Sequence, residues 1–206
     1  SSKNPIIISG GGVFYSDAME ELSKFAIKHN IPVTQTVMGY STMKRDHSHY
    51  AGQIGGLGGK NTNLLAKKTD LAIAVGTKLA DFTTGSWANF ENESFKLVSI
   101  NVSRFDANKH LAQAVVGDAK VSLDDLSLAL GDWKAGEEWN KKSQAELKVW
   151  NEYVDKECAP SNQEVPSYVQ VIGAIYKNSD PSDIAVTAAG GLVGEVIQVW
   201  RPRELN

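Results

Sequence analysis

The stretch LAIAVGTKLADFTTGSWANFENESFKLVSIN, residues 71–101, decides the fold. Two short runs rich in branched apolar side chains, Leu71–Val75 and residues 96–100, bracket a segment rich in Gly, Thr and Ser. Each run is too short for a helix and closes on a small or polar residue, Gly76 in one case and Asn101 in the other. Strands covered on both faces of a parallel sheet read this way. In open α/β sheets ligands lie beyond the carboxyl ends of the strands. Gly76-Thr77 and Asn101-Val102 therefore mark the edge where a site is expected.

Working outward, residues 5–9 (PIIIS) read as another buried strand that runs into Gly10-Gly11-Gly12. A helix is expected from about Ser16, whose hydroxyl suits an N-cap, with Asp17 and Glu20 near its positive end and Met19, Leu22, Phe25 and Ala26 on one face. His29-Asn30 ends it, and residues 32–36 read as the next strand, which completes a β-loop-α-β unit with a right-handed crossover. Residues 37–60 form a long, weakly periodic loop carrying glycines and histidines, the kind of loop that serves a site or an interface. A short helix over 61–68 precedes the strand Leu71–Val75. A strand at residues 115–116 leads to Asp118, placed to cap the helix Ala119–Leu130, which Gly131 stops.

After Trp133 the character changes. Glu137–Glu157 is polar and helical, with Leu147, Trp150 and Val154 on one stripe, and residues 159–163 break it. Residues 166–177 read as a helix with Pro166 in its first turn. A strand over 184–187 then runs into Ala188-Ala189-Gly190-Gly191, with a helical run over 193–200. Residues 1–133 read as one domain, 134–163 as a linker with a helix, and 164–206 as the opening of a second α/β domain. The ends of the chain, SSKNP and WRPRELN, suggest part of something longer.

Composition narrows the function classes. The 206 residues are 42% hydrophobic and 22% charged, with a net charge of −3 and no cluster of Lys and Arg, so neither nucleic acid nor an anionic membrane is an expected partner. No apolar run approaches the roughly 20 residues that span a bilayer. The single Cys158 excludes an internal disulfide and suits a reducing, cytoplasmic setting.

Individual motifs carry two readings each. Gly10-Gly11-Gly12 sits where a phosphate cradle would, but Tyr15 occupies the third glycine position of the dinucleotide fingerprint and no acidic residue closes the following strand; a tight turn with close packing is the ordinary reading. Asp46, His47 and His49 have metal-ligand chemistry, though loop histidines are more often hydrogen-bonded. Cys158 has no neighbouring base to make it a nucleophile. Residues 81–87 (DFTTGSW) either cover the sheet end or form a wall of an interface, and Gly190-Gly191 resembles a turn whose backbone N–H groups face a phosphate. No Ser/His/Asp set, P-loop or carboxylate pair is present.

Taken in order, IIISGGGVFYSDAMEEL, IPVTQTVMGYSTMKRDHSHYAGQIGGLGG, DLAIAVGTKLADFTTGSW, LVSINVSRFDANKH and VVGDAK resemble the middle domain of thiamine-diphosphate enzymes of the acetolactate synthase-like superfamily. The resemblance covers nearly the whole chain. Within the superfamily, GTKLADFTTGSW, NVSRFDANKH and AAGGLVGEVIQVWR are most similar to the branch that hydrolytically opens a cyclic diketone to a 5-deoxy-glucuronic-type acid in myo-inositol breakdown.

The resemblance implies a Rossmann-like parallel sheet with helices on both faces, followed by an incomplete second α/β domain. It also implies thiamine diphosphate and magnesium in the full-length parent, self-association through that parent, and a small cyclic diketone as substrate. Gly190, Gly191 and Leu192 match the first loop of the family's third domain, which lies against the diphosphate. The glutamate that activates the cofactor belongs to the family's first domain, and its metal motif is a Gly-Asp-Gly with a later Asn; neither is in this sequence, so the isolated chain is expected to be inactive and to bind no cofactor. Two departures from the acetolactate synthase pattern, Gly190-Gly191-Leu192 in place of a Gly-Gln pair and Lys78-Leu79-Ala80-Asp81 after the central strand, favour the ring-opening branch over flavin binding. The alternatives are a synthase-like middle domain holding FAD or ADP, and a purely structural oligomerisation domain.

Overall fold

The computed structural model describes residues 2–188 and 190–202. Six strands form a single parallel sheet: β1 (Pro5–Ser9), β2 (Val33–Gln35), β3 (Tyr50–Gln53), β4 (Leu71–Val75), β5 (Lys96–Asn101) and β6 (Gln113–Val116). Around them lie α1 (Gly11–Tyr15), α2 (Met19–His29), α3 (Lys60–Lys67), α4 (Asp81–Thr84), α5 (Arg104–Ala107), α6 (Ala119–Leu130), α7 (Glu137–Glu157), α8 (Tyr168–Asn178) and α9 (Gly191–Val199). The strand order is β3-β2-β1-β4-β5-β6, with every neighbouring pair parallel. This is the Rossmann-like α/β arrangement that the sequence implies.

Alternation of side chains along the strands builds two cores. Ile7, Val33, Ile73 and Ile100 face one side, where Leu22 and Phe25 of α2 and Leu123 of α6 cover them. Ile6, Ile8, Ala72, Ala74 and Leu97 face the other, covered by Leu65 and Ala66 of α3 and by Trp139 of α7. With both faces buried, the central strands carry apolar residues at every position rather than at alternate ones.

The order reverses direction between β1 and β4, and there the chain closes on itself. Gly10 N donates to Val75 O (2.9 Å) and Gly12 N to Gly76 O (2.9 Å). A Cβ on Gly12 would lie 2.6 Å from the Cα of Gly76, and one on Gly10 2.5 Å from the Gly76 oxygen, so only glycine allows the two backbones to approach this far. Gly76 itself has φ +61°, the left-handed region.

Several elements differ from the sequence reading. Ser16 ends α1 instead of starting α2: its N–H donates to Gly12 O, Asp17 takes φ 50°, and α2 begins only after Ala18. The loop over 37–60 contains a strand, β3. Gly52 at φ +104° and a register shift opposite Val33 and Thr34 interrupt its alternation, which is why it reads as loop. Pro166 precedes α8 rather than entering its first turn; Ser167 is the N-cap and forms a capping box with Gln170. Residues 184–187 form no strand. Ile184 is 76% exposed and Val186 90%, since no described strand lies beside them to take their backbone hydrogen bonds. Ala189 and residues 203–206, on which the expected glycine turn and chain end partly fall, lie outside the described residues.

α7 spans the flank of the sheet. Trp139, Ser143, Leu147 and Val154 are buried along one stripe, and Trp139 Nε1 donates to Pro5 O at 2.8 Å, tying the helix to the start of β1. Farther along, Val154 packs with Ile172 of α8 and Val199 of α9 in a third, smaller cluster.

The closure between β1 and β4 is a stability determinant. Gly12→Ala is expected to destabilise the fold by about 3 kcal/mol through overpacking against backbone that cannot move aside. Gly76→Ala should do the same by adding left-handed strain to that clash. A shift of the urea unfolding midpoint to lower concentration checks both, and an unchanged midpoint would refute the contact's importance.

Candidate cofactor-facing turn and the switch point of the sheet

The crevice at a reversal of strand order is the usual ligand position in such sheets. Here the amides of Gly10 and Gly12 are already committed to Val75 O and Gly76 O, and α1 runs for only five residues. The glycine triplet thus packs as a tight turn against the end of β4. Beside it, past β4, β5 and β6, lies a cavity of about 340 Å³ lined by Tyr15, Ser16, Gly76, Asn101 and Asp118. Asp118 caps α6 through Lys120 N (2.9 Å) and Val121 N (3.3 Å). The Ser16 hydroxyl and those two amides hold its carboxyl below the ordinary aspartate range, so it stays an anion at the cavity mouth.

Residues 81–87 fold back over the sheet end. Gly56 N donates to Phe82 O (2.7 Å), and Gly85, Ser86 and Trp87 follow one another at φ 59°, 52° and 70°. Trp87 packs at a tilt against His110 and Phe90, with ring centroids 4.5 Å and 5.5 Å away. The arrangement is a folded cover, held by aromatic contacts.

Asp46, His47 and His49 do not converge as ligands. His47 Nδ1 accepts from His49 N (3.1 Å), which leaves Nε2 to donate to Ser23 Oγ (2.9 Å). Asn30 gives its amide to Ala135 O, so His49 Nε2 donates to Asn30 Oδ1 (3.1 Å), and Nδ1 shares a hydrogen bond with Ser48 Oγ (3.0 Å). The His47 ring is neutral by geometry, and burial pushes both pKa values below the usual 6.5, against Asp46 for His47 and together with His47 for His49. No group of three or more His, Cys, Asp or Glu among the described residues could hold a metal ion. Burial also pushes the Cys158 thiol up, away from nucleophile chemistry, although Arg201 partly opposes this.

Gly190, Gly191 and Leu192 start α9. Gly190 is its N-cap at φ 129°, ψ −172°, a conformation essentially confined to glycine. Among the described residues no side chain caps the helix, no carboxylate stands in its first turn, and nothing lies within 4 Å of where a Cβ on Gly190 or Gly191 would be. Free amides at the positive end of a helix, on an open backbone, suit an anion. The other end of α9 is held by residues that sequence reasoning did not single out. Tyr40 Oη donates to Trp200 O, and Arg45 Nη2 donates to Tyr40 Oη (2.8 Å) and Ile197 O (3.4 Å). The signal was faint: a Tyr and an Arg inside a long loop.

A family model described as "Thiamine pyrophosphate enzyme, central domain" matches residues 1–126. The chain belongs to that family. Among curated proteins it is similar to the 3D-(3,5/4)-trihydroxycyclohexane-1,2-dione hydrolase of Clostridium tetani, 35% identical over 99% of the chain and 35% of the relative. The enzyme of the same name from Geobacillus thermodenitrificans is 34% identical over 100% of the chain and 35% of the relative. The chain therefore spans about 35% of the length of the curated relatives it matches. The central-domain match takes in the whole sheet and most of α6, and ends before α7 and the Gly190 turn. No helix among the described residues is long and apolar enough to cross a membrane.

The two histidines give this central domain a pH signature. Their folded pKa values lie below the unfolded value near 6.5, so the stability they contribute is present above that pH and is lost as pH falls through it. Stability against urea should drop between pH 7.5 and 5.5. His47→Gln should flatten that slope, because the His47 Nδ1 faces a backbone N–H that cannot rotate away; equal slopes in the two proteins would refute the assignment.

Proposed function

We propose that the chain is the middle portion, with the start of the cofactor domain, of a thiamine-diphosphate-dependent hydrolase that opens a cyclic trihydroxy-diketone by cleaving a C–C bond. The observation that carries this reading is the similarity of essentially the whole chain, at about 35% identity, to relatives bearing that name. It is supported by the open, uncapped turn at Gly190-Gly191-Leu192, whose backbone fits a diphosphate. Bound there, thiamine diphosphate supplies an electron sink for C–C cleavage.

The chain's own residues have narrower roles on this reading. Gly190 and Gly191 present amide N–H groups to the diphosphate, Leu192 flanks it, and the sheet and α7 form the body on which the turn is mounted. Magnesium and the activating glutamate are assigned to parts of the parent enzyme outside these residues. The substrate is a small cyclic ketone, and the parent self-associates in the cytoplasm. The 206-residue chain alone is inactive.

The parent enzyme, supplied with thiamine diphosphate and magnesium, should consume the cyclic dione and release a ring-opened acid, whereas the 206-residue chain should not. Acetolactate formed from pyruvate instead would keep the family and replace the reaction. In the parent, Gly190→Val should weaken thiamine diphosphate about tenfold, the effect of forcing a β-branched residue into a glycine-only conformation. An unaltered dissociation constant in a calorimetric titration would remove the turn from the site.

A further inference from the structure

α9 is held most extensively at its carboxyl-terminal end. Its carboxyl-terminal half packs through Val196, Val199 and the adjoining Trp200 against Val154 and Ile172, while Leu192 in its first turn is 44% exposed and residues 183–188 before it are exposed. Nine residues of helix place its two ends about 13 Å apart. Besides the close approach of Gly194 to Leu57, the position of the Gly190 turn is therefore set by whatever fixes the far end. A helix leaves its last carbonyls without intrahelical partners, and cationic donors there also favour the helix dipole.

Two side chains fill that role from the loop after β2. Tyr40 Oη donates to Trp200 O, and Arg45 Nη2 reaches both Tyr40 Oη and Ile197 O. The Arg45 guanidinium also lies over the rings of Tyr40 and Tyr50, 5.2 Å and 5.9 Å from their centroids, which fixes its direction. The smaller apolar cluster ties α9 to α7 and α8; Tyr40 and Arg45 tie it to the carboxyl edge of the sheet. Arg201 adds a hold on α7 through Asn151 O (3.2 Å) and Asp155 (2.9 Å).

We propose that Tyr40 and Arg45 are positioning residues for the Gly190-Gly191 turn: by gripping the carboxyl end of α9 they set where the turn at its amino end stands relative to the sheet. This rests on the diphosphate reading of that turn for its link to the cofactor, but not for the grip itself.

Two measurements separate the parts. In the 206-residue chain, Tyr40→Phe keeps the ring and removes the donor, and should speed amide hydrogen exchange in residues 191–200 about fivefold, the worth of one hydrogen bond, with β1 and β4 unchanged. Arg45→Met should act likewise, and Arg45→Lys should recover part of the protection. Unchanged exchange in α9, or equal acceleration in β1 and β4, would overturn the grip. In the parent enzyme, Tyr40→Phe should weaken thiamine diphosphate by a similar factor. If α9 loosens while that affinity holds, the link from grip to turn is overturned. If Gly190→Val also leaves the affinity intact, it is the diphosphate reading that has failed, and the exchange data still decide the grip.

Discussion

Backbone against backbone at Gly12 and Gly76 is the constraint on which the rest of this chain depends. It brings the ends of β1 and β4 closer than any side chain would allow, and it does so where the sheet reverses its direction of growth. Two consequences follow. The crevice that sheets of this order usually offer to a ligand is narrowed by the protein's own peptide groups. The chain leaving β1 is turned at once into α1 and α2, so that Leu22 and Phe25 meet the sheet face carrying Ile7 and Ile73. A scaffold narrowed at its centre leaves recognition to its periphery, and the open backbone found there belongs to α9.

The edges of the sheet show a second economy. β3 is an edge strand, and its carbonyls are met by side chains rather than by another strand: Tyr50 O by Gln144, and Ala51 O by Asn61 and Thr62, while Asn140 takes Ser48 O just before it. Helices α3 and α7 thus pair the edge with directional polar groups, one way natural sheets prevent further strand addition. The seam also holds the buried Ser143 hydroxyl, which finds no partner among the described residues. His29 makes a comparable stitch on the opposite face, joining the end of α2 to Trp133 O (2.7 Å) and Ser127 Oγ (3.1 Å).

Much of this was legible in the residues. Buried parallel strands announce themselves as unbroken branched runs, so β1 and β4 were read to the residue; Asp118 with Gly131, and the polar stripe from Glu137, likewise gave α6 and α7. β3 was not legible because its four residues, Tyr-Ala-Gly-Gln, carry almost no strand propensity and depend on neighbours for their pairing. Residues 184–187 failed in the opposite direction: their propensity is high, but a strand needs a partner. At the site, the tight packing of the glycine triplet was one of the two readings the sequence offered, and the contacts with Gly76 show that packing. The role proposed for Gly190 comes from resemblance. Tyr40 and Arg45 meet α9 across more than 150 residues of chain, a distance at which local patterns are silent.

The contrast between β3 and residues 184–187 has a practical side. One extended segment has its backbone covered by Asn, Gln and Thr side chains, whereas the other presents Ile184 and Val186 to solvent with no strand alongside. Short, uncharged, β-branched segments of that kind are the usual seeds of intermolecular strand pairing. Ile184 to Thr187 therefore combine the composition and exposure from which strand pairing between copies of a chain starts, beside the loop that leaves β2.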